Sequence, residues 1–264
     1  MSMRLLASLL LVAVAASVVA AQAPAYRAPR TGDGRPDLNG IWQANNTADW
    51  NLEAHSAEAG PVLALGALGA VPPGLGVVEG GQIPYTAEAL ATRQENYEHR
   101  LERDPAIKCY LPGVPRSTYL GRPFQIVQSQ SHVMILHEFA RAVRTVYMAE
   151  QVEAPADSWM GWSNGRWEGD TLVVETTGFN GLSWLDRSGN FTSDGLRVVE
   201  RFTPRSAETL LYEATLEDAT LYTRPWTIRM PLYRRVEPDA RLLEFRCVEF
   251  VEDLLYGHLA KPSE

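Results

Sequence analysis

Two carboxylates in this sequence lie in otherwise apolar rows of residues, where a carboxyl group can be prepared for acid–base chemistry. In the segment 196–202 every second residue from Leu196 is apolar except Glu200, and in the row from Leu243 to Val251 the exception is Glu249. Successive side chains of a strand point to opposite faces, so both carboxylates are expected on a buried face. A lone carboxylate there is costly unless it is paired or protonated.

Two interpretations of these carboxylates stay open. Either one could form a structural ion pair with an arginine such as Arg229 or Arg246, since buried pairs often have no catalytic role. Alternatively, one of them is a general acid or base inside a cavity, with further carboxylates at its mouth and Arg116 or Tyr212 stabilising charge on a substrate. The candidate catalytic residues are Glu200, Glu249, Asp186 and Asp194.

The positions of the tryptophans indicate that some of them line a ligand-binding pocket. Five of the seven tryptophans are Trp159, Trp162, Trp167, Trp184 and Trp226, and most fall around the central stretch 159–202. Core packing explains some of them, whereas a cluster at strand ends and loops is typical of a pocket for a flat or apolar molecule. Arg116, His137 and Tyr212 complete the candidate ligand-binding set, although His137 also fits a hydrogen-bonded histidine of the core.

Other chemistry is disfavoured by context. Residues 161–165 match the Gly-x-Ser-x-Gly pattern of serine hydrolases, but that pattern requires a strand, a sharp turn and a helix, and a β-rich run follows here. His132 and His137 are five residues apart and point to opposite faces of a strand. We therefore expect no metal site and no cofactor.

The elements that must position these residues are mainly strands. Nine segments carry a period-two pattern or a short apolar run, and tight links join several of them. They are 38–43, 124–128, 133–139, 143–148, 171–177, 196–202, 209–216, 226–234 and 241–251, with a hairpin turn expected at Asn164-Gly165 and another turn at Gly169-Asp170. The predicted fold is mainly β, a single antiparallel barrel over residues 38–264, because closure removes exposed strand edges.

The N-terminal third contains few strand signals. Residues 1–21 have the basic start, apolar run and small residues before Ala21 of a cleaved signal peptide. Residues 22–37 are expected to be an extended tail, and 45–105 an insertion that begins with an Ala/Gly/Pro-rich stretch and contains one surface helix over 87–103, capped by Thr86.

The net charge and the cysteine content limit where the protein can be located and which partners it can have. The formal net charge of −8 argues against nucleic acid or an anionic membrane as a partner. The signal peptide predicts a periplasmic or secreted protein with no membrane span after cleavage. In an oxidising compartment the two cysteines, Cys109 and Cys247, are expected to form a disulfide; two independent buried thiols are the alternative.

Several motifs resemble a family of uncharacterised exported bacterial proteins. They include residues 109–116 (CYLPGVPR), 165–174 (GRWEGDTLVV), 177–180 (TGFN) and 198–201 (VVER). The resemblance covers about 36–251 and implies a lipocalin-like barrel. The Gly-x-Trp at residues 40–42 agrees with such a barrel. The resemblance implies no particular activity. Thr192 stands where the family pattern leads us to expect a histidine.

These observations favour an exported barrel that binds a small apolar or aromatic molecule in its cavity. The alternative is a cofactor-independent lyase, isomerase or hydrolase that uses carboxylate acid–base catalysis. An interaction module with a filled barrel is a third possibility.

Overall fold

The structure is a computed structural model, and it describes residues 26–60, 62–149 and 151–259. The predicted signal peptide lies outside these residues. Within them, no helix combines the length and the apolar character needed to cross a membrane.

Nine strands form one closed barrel, in which each strand pairs with its neighbours in chain order and β1 closes against β9. The strands are β1 (Gly40–Gln43), β2 (Phe124–Gln128), β3 (His132–His137), β4 (Val143–Tyr147), β5 (Trp162–Glu168), β6 (Thr171–Thr177), β7 (Arg197–Pro204), β8 (Thr209–Glu217) and β9 (Trp226–Arg234). The prediction of a barrel is confirmed.

The expectation of a purely antiparallel barrel is wrong at one seam. β4 and β5 are parallel, with Val146 opposite Ser163 and Tyr147 opposite Asn164. The segment between these strands carries the chain back along the barrel before β5 starts, so both strands run in the same direction. Parallel strands require such a crossover, whereas the short links on either side of β3 allow only antiparallel pairing.

Asn164 and Gly165 lie inside β5 and do not form the predicted hairpin turn. The turn predicted at Gly169-Asp170 is present and links β5 to β6. The Asn164 side chain donates to the carbonyl of Val152 at 2.9 Å and accepts from its N–H at 3.0 Å, so it holds the returning segment. A Cβ on Gly165 would lie 2.6 Å from Cγ1 of Val146. Both residue types are therefore explained by close packing at the parallel seam.

The predicted strand 241–251 is also wrong. Residues 235–250 form no strand, because β9 already pairs with β1 and leaves no edge for another strand to extend. Leu243, Val248 and Phe250 of this segment are exposed, while Phe245 packs on Phe139 of the β3–β4 turn at a ring separation of 4.9 Å.

Three of the four α-helices in the described residues lie between β1 and β2, and the fourth follows β9. They are α1 (Ala87–Glu98), α2 (Arg100–Arg103), α3 (Arg116–Tyr119) and α4 (Val251–Tyr256), with 3-10 turns at Leu63–Gly69, Pro105–Lys108, Phe139–Arg141 and Gly257–Leu259. Thr86 caps α1 by accepting from the N–H of Ala89 at 3.2 Å.

The barrel encloses the core, and α3 covers one of its ends. β7, β8 and β9 alternate along most of their length between buried and less buried residues, as strands with one face toward a barrel interior do. All four residues of α3 are buried. We call this end, where β3 ends and β4 begins, the α3 end; the opposite end, with the turn 129–131, is the turn end.

The first strand begins with the Gly-x-Trp triplet. Trp42 is buried and donates to the carbonyl of Leu38 at 2.9 Å, while the guanidinium of Arg234 lies over its ring at 4.3 Å. A Cβ on Gly40 would lie 2.2 Å from Nη1 of Arg234. The glycine thus allows the last strand's arginine to reach the first strand's tryptophan.

The predicted disulfide between Cys109 and Cys247 is present. It joins the segment before α3 to the irregular C-terminal segment 235–250. Apart from this bond, Phe250 donates to the carbonyl of Ile107 at 3.0 Å, and Leu243 donates to Glu138 at 2.9 Å.

We expect Cys247→Ser to release the C-terminal segment while the barrel stays folded. Hydrogen exchange should become faster over 235–259, which has few backbone hydrogen bonds, and stay slow in β6 to β9. Mass-spectrometric exchange of both forms measures this directly. Equal acceleration throughout the strands would contradict a local role for the disulfide.

Candidate functional site

Glu200 lies inside the barrel in a buried ion pair. Its side chain is fully buried, and Arg144 of β4 binds it through Nη2. Tyr212 of β8 donates to its Oε1 at 2.8 Å. The apolar row thus correctly predicted a buried carboxylate, but its partner is neither Arg229 nor Arg246. Those two arginines lie on the outside, half-exposed or exposed, against other acidic residues.

Arg144 organises the polar interior. Its Nε donates to Ser163 Oγ at 2.8 Å and its Nη2 to Thr176 Oγ1 at 2.7 Å. Arg144 was not among the candidate residues, although it shares the buried face of β4 with Val146 and so stands in an apolar row, as Glu200 does. Ser163, the serine of the Gly-x-Ser-x-Gly pattern, is a hydrogen-bond acceptor for this guanidinium.

Tyr212 acts as a donor in this cluster. Burial, followed by the negative charge of Glu200, raises the pKa of Tyr212 well above its usual range. The phenol therefore stays protonated and neutral, and its hydrogen bond helps to satisfy the buried carboxylate.

His137 of β3 is buried next to this cluster. Burial, and then the positive charge of Arg144, lower the pKa of His137 to about 3, so the imidazole is neutral at physiological pH. The Ser117 backbone is close enough to oppose this shift slightly, but not in hydrogen-bond geometry. Among the described residues neither ring nitrogen has a partner, and the same is true of Arg144 Nη1 and Ser117 Oγ.

Asp186 is buried in the loop between β6 and β7. Burial raises its pKa to about 6, against the opposing effect of its hydrogen bonds. It accepts from Asn190 Nδ2 at 2.6 Å and from the N–H groups of Ser188 and Leu52 at 2.8 and 2.9 Å. The bond to Leu52 connects this loop to the N-terminal insertion. The Asp186 carboxylate therefore faces the amide N–H groups of its own protein.

Arg116, a candidate for charge stabilisation, is likewise occupied. It forms a two-bond pair with Asp104, at 2.7 and 2.9 Å, and also donates to Asp49 at 2.9 Å. Asp194 and Glu249 are both exposed. The structure thus places the four candidate carboxylates in different surroundings and brings only Glu200 into the barrel.

The candidate tryptophans are similarly divided. Trp159 stacks on Tyr110 and Trp162 on Tyr147, at ring separations of 5.0 and 4.6 Å. Trp184, Trp226 and Trp167 lie in the β6–β7 loop, at the start of β9 and near the end of β5. Because Trp162 and Trp167 are an odd number of residues apart on β5, they point to opposite faces.

A cavity of about 520 Å³ lies at the turn end of the barrel. Val133, Met148 and Trp167 form its inner side, and the N-terminal loop that contains Asp33 and Arg35 lies at its rim. We call it the turn-end cavity. A second cavity of about 380 Å³ lies on the outside, between Arg122 and the segment 235–243. None of the candidate carboxylates lines either cavity.

The described part of the chain contains no group of three His, Cys, Asp or Glu residues arranged to hold a metal ion. Comparison of the sequence with protein-family models gives no match, and comparison with curated proteins gives no significant match either.

We expect Glu200→Gln to destabilise the protein by about 3–5 kcal/mol, because it leaves the Arg144 charge buried without compensation. Urea unfolding measures the change. Glu175→Gln is the matched control: Glu175 pairs with Arg197 outside the barrel, partly exposed to solvent, so its loss should cost about 1 kcal/mol or less. Equal losses in both variants would contradict the assigned burial of the Arg144 pair.

The imidazole of His137 should make stability depend on pH. Its folded pKa of about 3 lies below the unfolded value of 6.5, so the unfolded chain binds more protons between these values and stability falls as the pH falls. Asp186 acts in the opposite sense between 3.8 and about 6, because its folded pKa is raised.

A comparison of wild type with His137→Leu removes the contribution of Asp186, which both proteins share. We expect the stability of His137→Leu relative to wild type to rise by up to about 1.4 kcal/mol per pH unit as the pH falls from 6.5. Chemical unfolding at a series of pH values tests this. A difference that does not change with pH would mean that His137 is not buried in its neutral form.

Proposed function

We propose that this protein binds a small, mostly apolar or aromatic molecule at the turn end of its barrel. The observation that carries the proposal is the turn-end cavity, which has an aromatic and aliphatic inner side within reach of the barrel core. Its volume, about 520 Å³, falls in the range of small-molecule sites, roughly 300–1,000 Å³.

The inner side of the cavity supplies the apolar contact. Val133 belongs to the buried face of β3, while Met148 and Trp167 are partly buried and pack against the core. A tryptophan ring offers a large flat surface, and a methionine adapts its shape to irregular ligands. This combination suits a flat or aromatic body, and polar residues that line the rest of the cavity, such as Thr31, Gln128 and Gln130, suit polar substituents on that body.

The rim supplies polar contacts of both charge signs. Asp33 and Arg35 come from the N-terminal loop, and Arg166 comes from β5. All three are exposed, so water screens their charges. These charges would therefore orient a bound ligand more than they would strengthen its binding. The ligand we expect is therefore an apolar body with one polar end toward solvent.

The alternative function, cofactor-independent lyase, isomerase or hydrolase chemistry, needs a carboxyl group that faces a substrate. Glu200 faces Arg144 and Tyr212, and Asp186 faces amide N–H groups. Neither carboxylate lines the turn-end cavity. Binding is therefore the function we propose.

We further propose that the protein works in the periplasm or outside the cell. The signal-peptide pattern of residues 1–21 and the disulfide support this location. Membership of the exported lipocalin-like family belongs to the same proposal, and the closed barrel with its Gly-x-Trp start supports it.

Affinity selection with a library of small aromatic and aliphatic compounds tests the binding function. Wild type should retain compounds that quench tryptophan fluorescence, and Trp167→Leu should weaken their binding about tenfold, the loss of roughly 1.4 kcal/mol of aromatic contact. Trp162→Leu is the matched control, because this residue lies on the same strand with its side chain on the opposite face.

Retention by wild type and by Trp162→Leu, but not by Trp167→Leu, would support the turn-end cavity. If wild type retains no compound, or if both variants bind equally well, the turn-end cavity is not the ligand site.

A further inference from the structure

A second polar site lies deep in the barrel at its α3 end, away from the turn-end cavity. It consists of Ser117 of α3, His137 of β3 and Arg144 of β4, and we call it the inner polar site. Their relative exposures are 4%, 3% and 3%, so all three residues are buried. Each has a polar atom without a partner among the residues that the structure describes: Ser117 Oγ, both imidazole nitrogens of His137 and Arg144 Nη1.

The register of the sheet brings two of these residues together. Arg144 lies opposite Ile135, and His137 is two residues farther along β3 on the same buried face. Such diagonal neighbours have Cα atoms roughly 7–8 Å apart, within reach of a long side chain. Ser117 joins them because its backbone lies beside the His137 ring.

Unpartnered groups of this kind are unusual in a protein interior. A buried donor or acceptor without a partner costs about 1–3 kcal/mol, and more when it is charged. The other nitrogens of Arg144 each have an acceptor in Ser163, Thr176 or Glu200. Among the described residues, Nη1 is thus the one nitrogen of this guanidinium that lacks an acceptor.

The donors and acceptors define the chemistry of an occupant. Nη1 of Arg144 only donates, whereas a neutral imidazole has one donor and one acceptor nitrogen. The occupant must therefore offer a carbonyl-type oxygen next to an N–H or O–H donor. An anion fits poorly, because Glu200 already balances the Arg144 charge and a second buried negative charge would lack a cation.

We propose that the inner polar site binds a small neutral molecule with an amide group, or the amide end of a larger one, through Arg144 Nη1, His137 and Ser117. The carbonyl oxygen accepts from Arg144 and the amide N–H donates to His137. Ser117 completes the set from α3. Because α3 covers the site, binding and release are expected to be slow and to require an opening of this end of the barrel.

The probe for this site is acetamide, with acetate as its charged counterpart of similar size. Histidine side chains labelled with nitrogen-15 report hydrogen bonding at the imidazole by nuclear magnetic resonance. His137→Gln identifies the His137 signals among those of the five histidines. After long incubation at neutral pH, acetamide should shift the His137 signals saturably, and acetate should not shift them.

Ser117→Ala should weaken the acetamide response about tenfold, since it removes one hydrogen bond from a buried site. Near-ultraviolet circular dichroism checks that this variant keeps its fold. Trp167→Leu should leave the response unchanged, so failure of the turn-end cavity to bind ligands and failure of this proposal are separate results.

Three results would overturn the proposal: no shift with acetamide, equal shifts with acetamide and acetate, or a high-resolution crystal structure in which acetamide does not displace an ordered water from Arg144 and His137. An ordered water that acetamide displaces, with bonds to the same three residues, would support it.

Discussion

The interior of this barrel contains a full positive and a full negative charge, and much of the fold serves to keep them together. Arg144 and Glu200 come from strands that are not adjacent, and both are almost completely buried. Removing two charges from water is costly unless their geometry is good and the remaining hydrogen bonds are made. Ser163 and Thr176 accept from Arg144, and Tyr212 donates to Glu200, so three further strands, β5, β6 and β8, help to hold this ion pair.

This arrangement separates the two ends of the molecule by chemistry. At the α3 end, buried polar groups are enclosed by α3 and by the insertion, whose Leu52 N–H is bound by Asp186. At the turn end, aliphatic and aromatic side chains form the inner side of the cavity, and charged residues lie at its rim. An apolar body and an amide group would thus find different partners in the same barrel, which is the physical basis for proposing two sites.

Much of the fold could be predicted because it depends on local patterns. Eight of the nine segments with a strand pattern overlap a barrel strand, since alternation directly reflects one buried face. Segment 241–251 has the same alternation but packs on the outside, and whether an edge is available to it depends on the closure of β1 against β9. The prediction of a turn at Asn164-Gly165 was wrong for a similar reason. The pair fits a turn locally, but in the structure it contacts the distant residues Val152 and Val146.

The candidate site shows the same division. The sequence by itself determined that Glu200 stands in an apolar row, that Cys109 and Cys247 could pair, and that the chain is mainly β, because strand periodicity and cysteine number are properties of single segments or of the whole composition. Only the tertiary structure decided that Arg144 is the partner of Glu200, that Glu249 and Asp194 are exposed, and that Trp167 lines a cavity while Trp162 does not. The physical reason is that burial of one face can be read along a strand, whereas the identity of the neighbour across the barrel depends on register and closure, which involve all nine strands at once.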